Sequence, residues 1–346
     1  MYGAYTGKAA AVMREKGCYE ATTIHRLIYT SRDKGTARLK ELQQQLLDLD
    51  DPSCTYTNVA GMAAILRREI AAEIDRLKAP HFRLNPESEV RNAALVVVDE
   101  CSMVNERMGE DLLSFGTPVL VLGDPAQLPP VRSGGYFTSR EPDMMLTEVH
   151  RQARNSGILR LATDMREGCK LEPVDYGEAR VLHRGDLDPS TVLGYDQILV
   201  GRNNTRRATN RRVRELLGHE SPLPVPDDKL VCLRNNHDLG LLNGETWAVL
   251  NCINIKGDKV DLTIEDDERT INVEAWKWPF LGEERPPFSH DRDVQEFDYG
   301  NVLTVHKSQG SAWRSVLVFA ERFKGNTAQW RYTAVTRASE RLTVVI

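Results

Sequence analysis

LVVVDECSM, residues 95–103, decides the fold. Four apolar residues in a row, three of them valines, run directly into two carboxylates, Asp99 and Glu100. A short continuous apolar run suits a strand covered on both faces, as in a parallel sheet. Ligands of such sheets bind at the carboxyl edge of the strands, which is where the two acids fall. Working outward, PVLVL (118–122) ends the same way in Gly123-Asp124, and QILV (197–200), NVLTV (301–305), SVLVFA (315–320) and LTVVI (342–346) repeat the pattern. Helical segments separate them: 8–17 closed by Gly17, 36–49, 59–78, and about 204–217 closed by Gly218. The fold class is therefore α/β.

Two departures from that alternation mark insertions. Leu39, Leu42, Leu46 and Leu49 form one helical stripe and Ile65, Ile70, Ile74 and Leu77 suggest a second, with Asp50-Asp51-Pro52-Ser53 breaking between them. These read as a helical hairpin inserted over about 30–79. Farther on, the Pro-rich SPLPVPDD (221–228) is a boundary, and 229–278 changes to alternating, β-branched segments punctuated by Asn243-Gly244 and Lys256-Gly257-Asp258. That is a small antiparallel β module.

The 346 residues carry a net charge of −5, which excludes a uniformly basic nucleic-acid binder but not a local basic groove. Six scattered cysteines without a C-x-x-C pair suit free thiols in a reducing cytosol rather than disulfides or zinc. No apolar run approaches the ~20 residues of a membrane span, so no membrane partner is expected.

An apolar strand ending in Asp-Glu is a Walker B pattern: Asp99 would hold Mg²⁺, and Glu100 would orient and deprotonate a water. In VLVLGDPAQLPPV (119–131), Gln127 is uncharged and can accept from a water while donating to a phosphate. The opening MYGAYTGKAA (1–10) has the look of a phosphate loop but fails its spacing. Gly3 and Gly7 enclose three residues rather than the four of G-x-x-x-x-G-K-[ST], and Ala9 stands where a hydroxyl would reach Mg²⁺.

Together with these, TIHRL (23–27), VHRQ (149–152), LRNNHDLGLLNGE (233–245), TVHKSQGSAW (304–313) and RYTAVTRASERL (331–342) occur in an order that resembles the superfamily 1 helicases of the RecD and Dda branch. The resemblance implies two RecA-like parallel-sheet domains, the first N-terminally truncated over 1–150, the second formed by 151–222 and 298–346. An SH3-like module at 225–297 would interrupt the second, and a strand-splitting hairpin would lie at about 80–92. It implies ATP and Mg²⁺ as cofactors and single-stranded DNA as partner, with movement 5′→3′. Arg151 and Arg337 would reach the γ-phosphate from the second domain, and Gly310 and Asp124 would lie at the nucleotide. Thr6, Lys8, His25, Thr304, His306, Lys307 and Ser308 would contact DNA. In that family AYTGKAA…TIHRL is a DNA-binding segment, and the Walker A loop lies upstream of it; the expectation is that a further segment or chain supplies that loop. Ala312 stands where the family carries Glu near the nucleotide sugar. A non-catalytic DNA-binding remnant, or a regulatory partner of an intact helicase, is the alternative.

Overall fold

The computed structural model of the chain describes residues 1–31, 37–49, 58–78, 82–130, 134–146, 156–236, 238–266, 268–285 and 293–346. Its first sheet has the order β2-β1-β5-β6, all parallel, built from β1 (Tyr2–Ala4), β2 (Thr22–Thr23), β5 (Val96–Asp99) and β6 (Val119–Val121). Between these come α1 (Gly7–Glu15), α2 (Ile24–Ile28), β3 (Tyr29–Ser31), α3 (Ala37–Leu49), α4 (Val59–Lys78) and β4 (Phe82–Leu84), and α5 (Glu106–Leu113) lies between β5 and β6. Val96 and Val98 are fully buried with Ile24, Ile28 and Leu112, which is why the apolar run before Asp99 forms a strand covered by helices.

MYGA was not expected to be a strand, yet β1 is paired on both sides, Gly3 with Thr22 and Val98. Small residues allow it: a Cβ at Gly3 would come 2.8 Å from Leu27 Cδ1. The four strands form one contiguous ladder. Its two outer edges, those of β2 and β6, have no further strand partner among the described residues.

In the insertion α3 packs on α4, with Arg38 bridging to Glu69 at 3.3 Å. In the region where a hairpin was expected, about 80–92, β4 pairs with β3, in register Ser31↔Phe82, and a 3₁₀ turn at Glu89–Asn92 follows.

The second sheet has the order β15-β9-β16-β17-β8-β7, parallel except for β7 against β8. It comprises α6 (Gly157–Arg166), β7 (Val174–Asp175), β8 (Ala179–Leu182), β9 (Gln197–Val200) and α7 (Asn203–Leu216), then β15 (Val302–Thr304), β16 (Trp313–Phe319), α9 (Thr327–Val335) and β17 (Ala338–Val345). Its core gathers Leu161, Leu199, Val316, Trp330 and Leu342, and it also takes in Leu128 from the loop after β6. Between α7 and β15 the chain forms an antiparallel five-stranded sheet, β13-β12-β11-β10-β14. Its strands are β10 (Lys229–Cys232), β11 (Thr246–Lys256), β12 (Lys259–Glu265), β13 (Thr270–Trp276) and β14 (Phe297–Tyr299), with the short α8 (Trp278–Leu281) before the last. β14 pairs with β10, so this sheet runs to Tyr299.

The joint between α7 and this β module is a buried ion pair. Arg214 reads from sequence as one member of a solvated arginine stripe, but it is buried. It donates to both carboxylate oxygens of Asp228 at 2.8 and 2.9 Å and to the Ser221 and Leu223 carbonyls, and lies 4.1 Å over the Tyr299 ring. Arg214→Ala would strand a buried Asp228, and we expect a loss of roughly 3–5 kcal/mol, read as a lower urea midpoint at unchanged slope.

Candidate functional site

The acids sit where β5 ends. Glu100 adopts a left-handed backbone (φ 54°), a conformation non-glycine residues rarely take and one that concentrates at functional sites. Its N–H donates to Asp99 Oδ1 at 2.8 Å. The loop after β6 comes close because residue 123 is glycine: a Cβ there would lie 2.5 Å from Cys101 Sγ. This brings Asp124 near Glu100. Burial pushes the Glu100 carboxyl above the usual carboxylate range, the Arg337 guanidinium pulls it down, and Asp99 and Asp124 add to the rise.

Arg337 follows α9 and comes from the other sheet. It is buried, donating to the Thr333 and Ser311 carbonyls at 3.0 and 3.2 Å and to Thr336 Oγ1 at 3.1 Å. Burial lowers its pKa, and Glu100, Tyr332 and Asp124 act against that. The same helix grips the first domain's loop. The Tyr332 hydroxyl donates to Asp124 Oδ2 at 2.6 Å, Leu128 N donates to Thr333 Oγ1 at 2.8 Å, and Gln309 Nε2 donates to Leu128 O at 2.9 Å. Tyr332 and Gln309 were missed as site residues, although both lie inside quoted motifs; their partners are more than 180 residues away along the chain. Gln127 Oε1 is buried without a hydrogen-bond partner among the described residues, an acceptor left open beside Asp124. Arg151 lies outside the described residues.

Among the described residues no group of three or more His, Cys, Asp or Glu can hold a metal alone. Asp99 fits Mg²⁺ in the way that ion prefers, one carboxylate with the remaining positions left to water and phosphate oxygens.

Several of the residues expected from the sequence to contact DNA lie together at a second place. Thr6 caps α1, its Oγ1 accepting from Ala9 N at 3.1 Å. Gly310 faces this helix end: a Cβ on it would lie 3.0 Å from Thr6 Oγ1 and 3.5 Å from Ala9 Cβ. Gly310, expected to bring backbone to the phosphates, is thus packed against the first domain's α1. Lys8 lies 5.5 Å over the Trp313 ring, and burial lowers its pKa while Glu245 and Glu15 raise it. Lys8 therefore stands where both sheets and the β module meet.

Lys307 reaches solvent, its pKa brought to about 8 by desolvation and by Arg206 and Arg207, with Asp298 opposing. His306 is half-buried and its pKa is lowered by burial. His25 is partly buried and packs among Tyr5, Tyr29 and Phe82 with ring centroids 5.5–6.1 Å apart, and its pKa too is lowered by burial. Ser308 is fully buried and donates to Val305 O at 2.8 Å, and Thr304 is buried at the turn's N-terminus. Both lie in the loop that presents His306 and Lys307.

A family model described as an AAA domain matches residues 1–185, more than half of the chain, and one described as a UvrD-like helicase C-terminal domain matches 299–345. The chain belongs to the RecD-like superfamily 1 helicase family. This helicase-family chain is 26% identical over 279 residues to the ATP-dependent RecD2 DNA helicase of Deinococcus radiodurans, covering 71% of this chain and 35% of that one. It is 25% identical over 361 residues to the RecBCD enzyme subunit RecD of Mycolicibacterium smegmatis, covering 90% and 60%. It thus spans less than two thirds of the length of either relative. Among solved structures, the Pif1 helicase from Candida albicans superposes at a TM-score of 0.47 with 16% identity, over 99% of this chain and 89% of that one.

Proposed function

We propose that the chain belongs to an ATP-driven translocase and helicase on single-stranded DNA, moving 5′→3′, and is incomplete without a phosphate-loop segment. The observation that carries this reading is Arg337, delivered from the second sheet to Glu100 and Asp124 of the first. A guanidinium placed across an interface from a water-activating carboxylate couples phosphate chemistry to the separation of two domains. Glu100 holds and deprotonates the attacking water, Gln127 accepts from that water through its open Oε1 while its amide N–H donates to the phosphate, and Arg337 meets the charge that develops on the transferred group. Asp99 would hold Mg²⁺, which would supply charge neutralisation to phosphate oxygens. Alternating contact between Thr6 and Gly310 offers the step by which a strand held at Lys8 and Lys307 is advanced.

This chemistry needs a phosphate-binding loop, which these 346 residues do not contain. We assign its docking place to the outer edge of β6. The inner edge bonds to β5, while the outward backbone groups of Val119 and Val121 have no strand partner among the described residues. Leu95, Leu120 and Leu122 beside it are 40–48% exposed. Parallel sheets are covered on both faces. A strand added parallel to β6 would bring its following loop to the same edge as Asp99 and Asp124.

Strand binding is testable on the chain as it stands. Lys8→Ala is expected to weaken binding of a labelled oligonucleotide and lower the slope of log K against log salt by about 0.7, one released counterion contact on a single strand. Fluorescence anisotropy across a sodium chloride series measures it. An unchanged slope would remove Lys8 from the strand path.

A further inference from the structure

A recess of about 280 Å³ lies between α7 and the β module, walled by Arg207, Asn210, Arg211, Pro279, Phe280 and Asp298. It belongs neither to the acid cluster nor to the Lys8 junction. Its electrostatics are lopsided. Asp298 is the one acid lining it among the described residues, and that charge is already taken by Arg206 Nη2 at 2.7 Å and Tyr299 N at 2.8 Å. Arg206 is buried, and its Nε and Nη1 still lack partners among the described residues. Arg207 and Arg211 are exposed, one turn apart on α7, and neither has an ion-pair partner among the described residues. In an adjoining recess that Arg211 also lines, Glu215 is held by Arg212 at 2.8 Å, and Glu220 lies beside it.

The same walls lack the means to read bases. The Asn210 amide is spent on the Tyr299 and Val302 carbonyls and on Val302 N. The Tyr299 ring is covered by Arg214 and flanked by Phe280, whose centroid is 5.4 Å away. Stacking and amide readout are both closed. What remains is a pair of free guanidiniums on a wall fixed by buried ion pairs, next to Lys307. Guanidinium is planar, permanently charged and suited to bidentate contact with phosphate oxygens.

We infer that this recess is a second, sequence-independent site for the phosphodiester backbone of a nucleic-acid strand, gripped by Arg207 and Arg211. The inference rests on the reading that the chain carries a strand, and extends that strand's track past Lys307 onto α7.

The test is an anisotropy titration of the intact chain with a labelled oligothymidylate of about 20 nucleotides, repeated over a salt series for wild type, R207A/R211A, R207K/R211K and Lys8→Ala. R207A/R211A should lower the log–log salt slope by about 1.4, two contacts at ~0.7 each, and weaken low-salt binding about tenfold or more. R207K/R211K should keep most of the slope, because the charges remain. The thermal midpoint should not move, since both side chains are exposed and unpaired. Wild-type slope and affinity in R207A/R211A overturn the inference. So does loss of the difference in millimolar inorganic phosphate at matched ionic strength, which marks a site for free phosphate instead. A response to Lys8→Ala alone leaves the strand reading standing without this site, whereas no oligonucleotide binding by wild type ends both.

Discussion

Arg337→Ala is expected to slow ATP turnover by about 10³–10⁵-fold, the range for losing a transition-state arginine, in a preparation supplied with a phosphate-loop segment in cis or in trans. The side chain is the second sheet's contribution to the acid cluster, so its loss removes the charge that faces Glu100 across the interface. It also leaves the Thr333 and Ser311 carbonyls without a donor. Arg337→Lys separates the two effects, since an ammonium keeps charge near Glu100 but lacks the planar fork. A pH profile adds a reading that a fold defect does not imitate. Burial raises the Glu100 carboxyl and Arg337 lowers it. Removing the guanidinium leaves the rise unopposed, and a base acts only when ionised. The acid limb of kcat/KM should therefore move to higher pH in Arg337→Ala. An unmoved limb with a normal rate would sink the assignment. Absence of turnover in the wild type, even with the loop supplied, would favour the DNA-binding remnant.

The second expectation concerns ATP itself. Without an added phosphate loop the chain should hold ATP weaker by on the order of 5 kcal/mol, three to four decades, the combined effect of about three charge-assisted bonds. Calorimetric titration of the chain with and without the loop segment measures the difference. The apparent Gly-Lys loop at the N-terminus offers no substitute. Ala9 N is satisfied by Thr6, Gly310 packs against the helix end, and a Cβ at Gly7 would meet Leu242 at 3.2 Å. Tight ATP binding around Lys8 by the chain alone would overturn this account.

Strands β5, β6, β9, β15, β16 and β17 were legible from apolar runs with an abrupt polar end, and β9 falls on its expected bounds, Gln197–Val200, whereas the short β7 and β8 were not. MYGA was not, because a strand of three residues that buries glycine and alanine carries no hydrophobic period. The pairing of β3 with β4 was hidden for another reason: the two lie on either side of an insertion, and register across it leaves no trace in local sequence. At the site, residue types announced Asp99 and Glu100. Burial separated residues that sequence lists as equals. Ser308 faces inward and Lys307 outward on one turn, and Arg214 is a strut while Arg207 and Arg211 stay free. Identical side chains on one helix acquire different duties only when a neighbour such as Asp228 is in place.

The side-by-side register of Ser31 and Phe82 has a consequence for the lineage of this chain. The polypeptide leaves the domain and returns at a single doorway, so whatever hangs outside can lengthen, shrink or be exchanged without disturbing the rooms behind it. Each doubling of such a loop costs only about 0.6 kcal/mol in closure entropy. The α3–α4 arm is thus a place where new attachments can be tried by evolution, or by an engineer, while the motor's inner parts keep their spacing.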